Sequence, residues 1–269
     1  MCEVKDKVFL VTGAVGGIGS ALVRAALQDG AKHVIALDID ENQGKELESE
    51  LKGVYGQNKI KFIKCDVTSD LENAYDLVMK EFGYIDVVIN NAGIMNDSPN
   101  AYLKEIAVNV TALITSSLKA FDLMRKDRGG KGGTIINISS IVALAQTSIL
   151  PIYSATKSAV LQFSNCLGIE QTFSWSGVRV LAVCFGSTDT PLISLQKLGG
   201  FTKEYDEKIH AGIQTMPQQS AYSAAQGLLT AYRNGISGST WLVTSNRPAE
   251  EITENVKKAY ETLSEGIYQ

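Results

Sequence analysis

The sequence predicts a single α/β domain built on a doubly wound, seven-stranded parallel sheet with helices on both faces. Three observations carry this expectation. Short runs of branched apolar residues alternate with helical segments from the first residues to the last. A cluster of glycines follows the first such run, and an acid ends the second about twenty residues later. The length, 269 residues, is ample for one such sheet, and no repeat, low-complexity tract or linker divides it.

The first strand lies near 7–12, where Lys-Val-Phe-Leu-Val is the near-continuous apolar run of a strand buried on both faces. It leads into Thr12-Gly13-Ala14-Val15-Gly16-Gly17-Ile18-Gly19, and 17–29 reads as a helix. Gly13 suits a tight turn, Gly17 leaves room for phosphates, and Gly19 lets the helix pack closely on the strand. A helix start here offers free N–H groups and a positive dipole end to a pyrophosphate. The spacing is not G-x-G-x-x-G, and an ordinary glycine-rich turn is the competing reading of the string alone. The second strand, 33–38, ends in Asp38, whose carboxylate can accept hydrogen bonds from adenosine ribose hydroxyls. Val15 in the glycine loop and Ile39 after the acid offer no cation to a 2′-phosphate, which favours NAD over NADP. Capping the next helix, 41–52, is the other use open to Asp38.

Further strands are expected near 60–65, 85–90, 133–138, 178–184 and 240–244, with helices near 69–82, 100–126, 153–174 and 219–234. Right-handed crossovers gather the carboxyl ends of parallel strands along one edge, where ligands bind. The third strand ends at Cys65-Asp66-Val67, the fourth at Asn90-Asn91-Ala92-Gly93, and the fifth reaches Ser139 and Ser140. After the fifth comes Tyr-Ser-Ala-Thr-Lys at 153–157, which places Tyr153 and Lys157 one helical turn apart on a shared face. An ammonium near a phenol favours the phenolate, and a tyrosine so tuned exchanges a proton with an alcohol or ketone. A chance pairing on a solvated face is the bland alternative for the pair alone. Asn109, in Ile-Ala-Val-Asn-Val, sits mid-helix against its propensity.

Together, Thr-Gly-x-x-x-Gly-x-Gly, Asn90-Asn91-Ala92-Gly93, Asn109, Ser140, Tyr153 and Lys157 resemble the short-chain dehydrogenases/reductases, over 7 to about 244. Within that family the chain is similar to the insect alcohol dehydrogenases and hydroxyprostaglandin dehydrogenase. The resemblance implies a Rossmann fold and a metal-free alcohol dehydrogenase using NAD. Tyr153 would be its acid–base, Ser140 the hydrogen-bond donor to the substrate oxygen, and Lys157 the tuning cation that also holds the nicotinamide ribose. The family spacing of serine to tyrosine selects Ser140 over Ser139. Asn109 would open a local break whose carbonyl holds a proton-relaying water, or simply bond to a neighbouring helix. Asp66 and Val67 would read the adenine, with an N-cap as the other use of Asp66. Asn91, Ala92 and Gly93 would steady the sheet and line the cofactor, as would Ile18 and Ile39. Gly186, Thr188 and Thr190 would hold the nicotinamide carboxamide. Phe185 replaces the usual proline there. A non-catalytic NAD-binding protein would be expected to lose one of Ser, Tyr or Lys. An NADPH-dependent carbonyl reductase is opposed by Asp38, and an enoyl reductase by Pro151 where its tyrosine would stand.

A net charge of −4, without a basic run, argues against nucleic acid. No start signal or long apolar stretch is evident, so the cytoplasm and no membrane span are expected. Cys2, Cys65, Cys166 and Cys184 lack Cys-x-x-Cys spacing, and His33 and His210 are the only histidines, so no zinc site is expected. The substrate wall is expected from Ile94, Met95, Val142, Leu144, Thr147, Leu150, Leu192, Ile193 and Leu195, although Val142 also reads as core. Leu150 stands where the two related groups carry glutamine, which favours hydrocarbon-flanked secondary or allylic alcohols and their ketones. The stretch 188–216 reads as a lid, closed by Phe201 and Tyr205, and 245–269 as a C-terminal tail. The segments 100–126 and 153–174 carry surplus apolar positions (Leu113, Ile114, Leu118, Phe121, Val160, Leu161, Phe163, Leu167), and the family resemblance implies that these two helices pair across a two-fold axis in a homodimer or homotetramer.

Overall fold

The structure, a computed structural model, describes residues 1–267 apart from the side chains of His210 and Gln214. Seven strands form a parallel sheet: β1 (Val8–Thr12), β2 (His33–Asp38), β3 (Ile60–Lys64), β4 (Val87–Asn90), β5 (Gly133–Ser140), β6 (Val178–Phe185) and, after two short strands, β9 (Thr240–Val243). Every residue of β1 is buried, and its side chains divide between two cores. Phe9 and Val11 pack with the helices α1 (Gly17–Gln28), α2 (Glu41–Tyr55) and α9 (Ala221–Asn234). Val8 and Leu10 face α3 (Leu71–Phe82) and α5 (Leu113–Met124) on the other side. Burying each such Phe or Leu is worth about 1.5–3 kcal/mol, which is why the strand needs no polar face.

The strand order is β10-β9-β6-β5-β4-β1-β2-β3, so the sheet has eight strands rather than seven. The eighth, β10 (Glu250–Glu251), runs antiparallel to β9, pairing with Leu242 and Trp241. It occupies the edge through its backbone pairing and a relay from the Thr240 nitrogen through the Thr253 hydroxyl to Glu251, and its two glutamates carry no strand signal. The expected tail therefore holds structure: β10 and then α10 (Thr253–Ser264); its last two residues, 268–269, lie outside the described chain.

Two helices differ from expectation. The 100–126 segment is one 23-residue run, Tyr102–Met124, interrupted by a π-helical stretch, Ala107–Ala112, between α4 (Tyr102–Ile106) and α5. By length and composition it is apolar enough to cross a membrane, yet its α5 part lies against β4 and β5 within the core. The 153–174 segment is two helices, α6 (Pro151–Leu167) and α7 (Glu170–Ser176). They part at Gly168, where an added Cβ would lie 2.7 Å from the Gly238 nitrogen, so the chain must turn close to that backbone. Four of the eight positions expected at a subunit interface, Leu113, Phe121, Val160 and Leu161, are spent in the chain's own core; Leu118 is half exposed.

Candidate active site

The carboxyl ends of β1, β2, β4, β5 and β6 bring most of the singled-out residues to one edge of the sheet. Gly13 (φ +63°) and Gly17 (φ +49°) adopt backbone conformations that side chains disfavour. A Cβ on Gly13 would strike the Ala92 Cα at 2.8 Å, and one on Gly19 the Gly13 carbonyl oxygen at 1.9 Å. The loop is tied to the end of β4. The Asn91 amide donates to the Thr12 and Gly13 carbonyls at 3.1 and 2.9 Å, and the Thr12 hydroxyl accepts from the Asn91 and Ala92 nitrogens. Asp38 accepts from the Val15 nitrogen at 3.1 Å through one oxygen and from the Asp40 nitrogen through the other. It is Asp40, not Asp38, that caps α2, accepting from Gln43. Ile39 stands exposed beside it. Asp66 folds its carboxylate onto the Thr68 hydroxyl and nitrogen, which holds its pKa below the usual range. Val67 and Ala92 line one small cavity with Thr12, Asn90 and Val108.

Asn109, fully buried in the π stretch, clasps Ile94: its oxygen accepts from the Ile94 nitrogen and its amide donates to the Ile94 carbonyl, both at 2.8 Å. The same amide reaches Thr156 on α6 at 3.1 Å. The π stretch is a local break in the helix, and the bond to Thr156 joins Asn109 to the neighbouring helix. Gly93 lies between Asn109 and Lys157, a Cβ there standing 3.4 Å from the Asn109 oxygen and 3.7 Å from Lys157 Nζ.

Tyr153 and Lys157 lie on one face of α6, both buried, with Nζ 5.6 Å from the phenol ring centre. Lys157 Nζ donates to the Ile138 carbonyl at 2.9 Å. The two serines part company: Ser139 donates to the Lys157 carbonyl, while the Ser140 hydroxyl lies beside the Tyr153 phenol and accepts weakly from Val142. The expected lowering of the tyrosine pKa is not what the protein's own groups produce. Burial pushes the Tyr153 phenol well up, against a smaller opposing pull from Ser140, and pushes Lys157 down to about 8. Desolvation here outweighs the attraction within the pair.

After β6, the Thr188 hydroxyl donates to the Gly186 carbonyl and Thr190 to the Thr188 carbonyl, so both are engaged in their own loop. Thr190 also packs on Gly17, which brings this loop onto the glycine turn. Two short strands, β7 (Thr188–Asp189) and β8 (Gln219–Ser220), pair where the 188–216 segment leaves and returns, and α8 (Lys203–Thr215) lies within it. A cluster of Met95, Leu150, Tyr153, Leu198, Ile209 and Ile213, flanked by Val142, Ile149, Leu192 and Ile193, walls the tyrosine. Leu195, half exposed, and Leu144 lie outside it. Phe201 and Tyr205 also take no part: their rings stack on each other, centres 4.0 Å apart. Ile209 and Ile213, one turn apart on α8, take that place, and their i, i+4 spacing was the signal for them.

The family model for short chain dehydrogenases matches residues 7–197. The chain belongs to the short-chain dehydrogenase family. This is a family of oxidoreductases, and its other members bear the assignment out over nearly the whole length. Mouse 15-hydroxyprostaglandin dehydrogenase [NAD(+)] is 31% identical over 91% of this chain and 92% of its own. Alcohol dehydrogenase 1 of Ceratitis cosyra is 30% identical over 83% and 88%. Among solved structures, the 3-ketoacyl-(acyl-carrier-protein) reductase from Brucella melitensis complexed with NADH superposes with a TM-score of 0.74 at 23% identity, covering 90% of this short-chain dehydrogenase and 98% of that chain.

The sequence reading missed two buried acids of this short-chain dehydrogenase, Asp97 and Glu105, and the buried Gln219, whose amide donates to Thr188 and to the Val243 carbonyl. Among the described residues, no group of three or more His, Cys, Asp or Glu is placed to hold a metal.

Proposed function

We propose that this protein is an NAD-dependent dehydrogenase that reversibly oxidises a secondary or allylic, largely apolar alcohol to the carbonyl without a metal. The observation that carries this reading is the convergence of Ser140, Tyr153 and Lys157 beneath an apolar wall. The cofactor assignment draws on Asp38 and Ile39, which suit unphosphorylated ribose hydroxyls, and on the NAD(+) and NADH in the names of a relative and a fold neighbour. The loop fits a pyrophosphate: Gly16, the N-cap of α1, has no atom within 4 Å of where a Cβ would stand. Bound NAD⁺ supplies the hydride acceptor and a positive charge that favours the phenolate.

In this reading Tyr153 Oη takes the hydroxyl proton on oxidation and returns it on reduction. Ser140 donates a hydrogen bond to the substrate oxygen, and Lys157, held by Ile138, offsets the phenolate charge. Burial keeps the Tyr153 phenol protonated, the form that donates in the reducing direction, and opposes the phenolate that oxidation requires. Oxidation then gains with rising pH, as the phenol gives up its proton. A hydroxyprostaglandin-type substrate is the second reading, favoured by the 31% identity to that relative and opposed by Leu150. Tyr153→Phe tests the core of the proposal. The variant should fold, still bind NADH, and lose ~10²–10⁴ in kcat. More than a tenth of the activity remaining would remove Tyr153 as the acid–base.

A further inference from the structure

Asp97 and Glu105 are both fully buried, directly behind the start of α6. Asp97 spends its oxygens on the first turn of that helix, accepting from the Ile152 nitrogen at 2.7 Å and the Tyr153 nitrogen at 2.9 Å. Leu150, the helix N-cap, offers no side-chain acceptor, so a residue 56 positions upstream of Tyr153 supplies the cap. The Asp97 nitrogen donates to the Gly199 carbonyl at 2.7 Å, which ties the same point to the segment over the pocket. Glu105 lies one turn before Asn109 on the same helical run, and the two grip the 94–97 loop together.

The partners of the two carboxyls are unequal. Asp97 has two short amide donors. Glu105 has one long one, from the Asn96 nitrogen at 3.3 Å, and its Oε2 is buried with no N–H or O–H donor. A carboxylate there would be an uncompensated buried charge beside another carboxylate, whereas a carboxylic acid can donate to Asp97, which is within reach. We propose that Asp97 and Glu105 share one proton, held on Glu105, and that this pair is a positioning device that sets Tyr153 through the N-terminus of its helix. Burial and the Asp97 charge accordingly push Glu105 up to about 8. The other titratable groups that face Glu105 are Lys157 and Tyr153 on α6; Lys104 and Lys197 on the neighbouring segments are exposed, and Asp206 is engaged by the Gly200 nitrogen.

The positioning role rests on Tyr153 being the acid–base, but the test of the shared proton does not. Glu105→Gln keeps a donor to Asp97 and cannot titrate. A raised carboxyl pKa means the native state binds more protons than the unfolded chain between about 4.5 and 8, so the unmutated protein loses stability as pH rises through that window. The melting temperature of Glu105→Gln relative to the unmutated protein should therefore climb by about 3 °C or more from pH 5 to pH 8. Difference infrared spectra at pH 6.5 should show a protonated-carboxyl stretch that the Gln variant lacks. In turnover of a 2-alkanol at pH 7, Glu105→Ala should lose about tenfold or more in kcat with an unchanged KM for NAD⁺, and Glu105→Gln should restore it. A pH-independent melting difference, or a carboxyl band that survives in the Gln variant, overturns the shared proton. An Ala variant as fast as the unmutated enzyme overturns the positioning role. An active Tyr153→Phe with the pH-dependent melting difference intact would instead remove the acid–base reading and leave the pair standing.

Discussion

Replacing Asn109 with alanine removes the single side chain on which the backbone at Ile94 depends. Asn109 is fully buried, and its loss strands the Ile94 N–H and C=O, both now bonded at 2.8 Å. Thr156 is not stranded, because its hydroxyl still donates to the Tyr153 carbonyl at 2.7 Å. Two unsatisfied buried backbone groups at ~1–3 kcal/mol each give ~2–6 kcal/mol, and a water entering the vacated space brings the expectation to about 3 kcal/mol. At this chain length each kcal/mol is worth about 2 °C, so the melting temperature should fall by about 6 °C. The change should also reach the chemistry, since Gly93 is wedged between Asn109 and Lys157. Thermal unfolding followed by circular dichroism reads the first effect and steady-state kcat the second. Asn109→Asp should not rescue, as it points a second oxygen at the Ile94 carbonyl. A drop below ~2 °C with kcat unchanged would show that the clasp on Ile94 is incidental.

Three further outcomes follow from the site. The unmutated protein should prefer NAD⁺ over NADP⁺ by at least ~100-fold in kcat/KM, about 2.7 kcal/mol, and Asp38→Ala should narrow the gap mainly through KM for NAD⁺; equal use of both cofactors by the unmutated protein would defeat the assignment. Along a series of 2-alkanols, kcat/KM should rise by up to ~0.8 kcal/mol per methylene until the cluster around Leu150, Ile209 and Ile213 is filled; a flat series, or preference for a hydroxy fatty acid, would refute the apolar pocket. We also propose a homodimer or homotetramer, which a 29.0 kDa mass for the protein at micromolar concentration in light scattering would contradict.

What sequence reasoning reaches here depends on how local the cause is. β1 announces itself because both its faces are buried, so its first four residues, Val8 to Val11, are all apolar. Tyr153 and Lys157 share a face by helical periodicity alone. β10 does not announce itself, because its pairing is dictated by the open edge of β9 and not by two glutamates. The cap on α6 is equally silent: capping rules look one turn away, and Asp97 acts across 55 residues or more. The upward push of burial on the Tyr153 phenol is silent in the sequence for a related reason, since Met95, Ile209 and Ile213, which bury it, come from distant elements. Phe201 and Tyr205 stand out by aromatic size, whereas Ile209 and Ile213 are marked only by their i, i+4 spacing.

The two-residue strands β7 and β8 look negligible, yet they pinch together the points where the chain departs from the sheet and rejoins it, Thr188 opposite Gln219 and Asp189 opposite Ser220. Everything strung between them is an excursion from the sheet, held down beyond that pinch by the Gly199 carbonyl on the Asp97 nitrogen and by the cluster around Tyr153. The entropic cost of such an excursion grows only slowly with its length. Exposed residues between 191 and 216 can therefore be added, removed or exchanged with little consequence for the eight-stranded sheet below, so long as Gly199 and the buried Leu198, Ile209 and Ile213 are kept or replaced in kind. The wall over Tyr153 is in that sense a replaceable part, and a lineage could change what the enzyme accepts without re-solving how it folds.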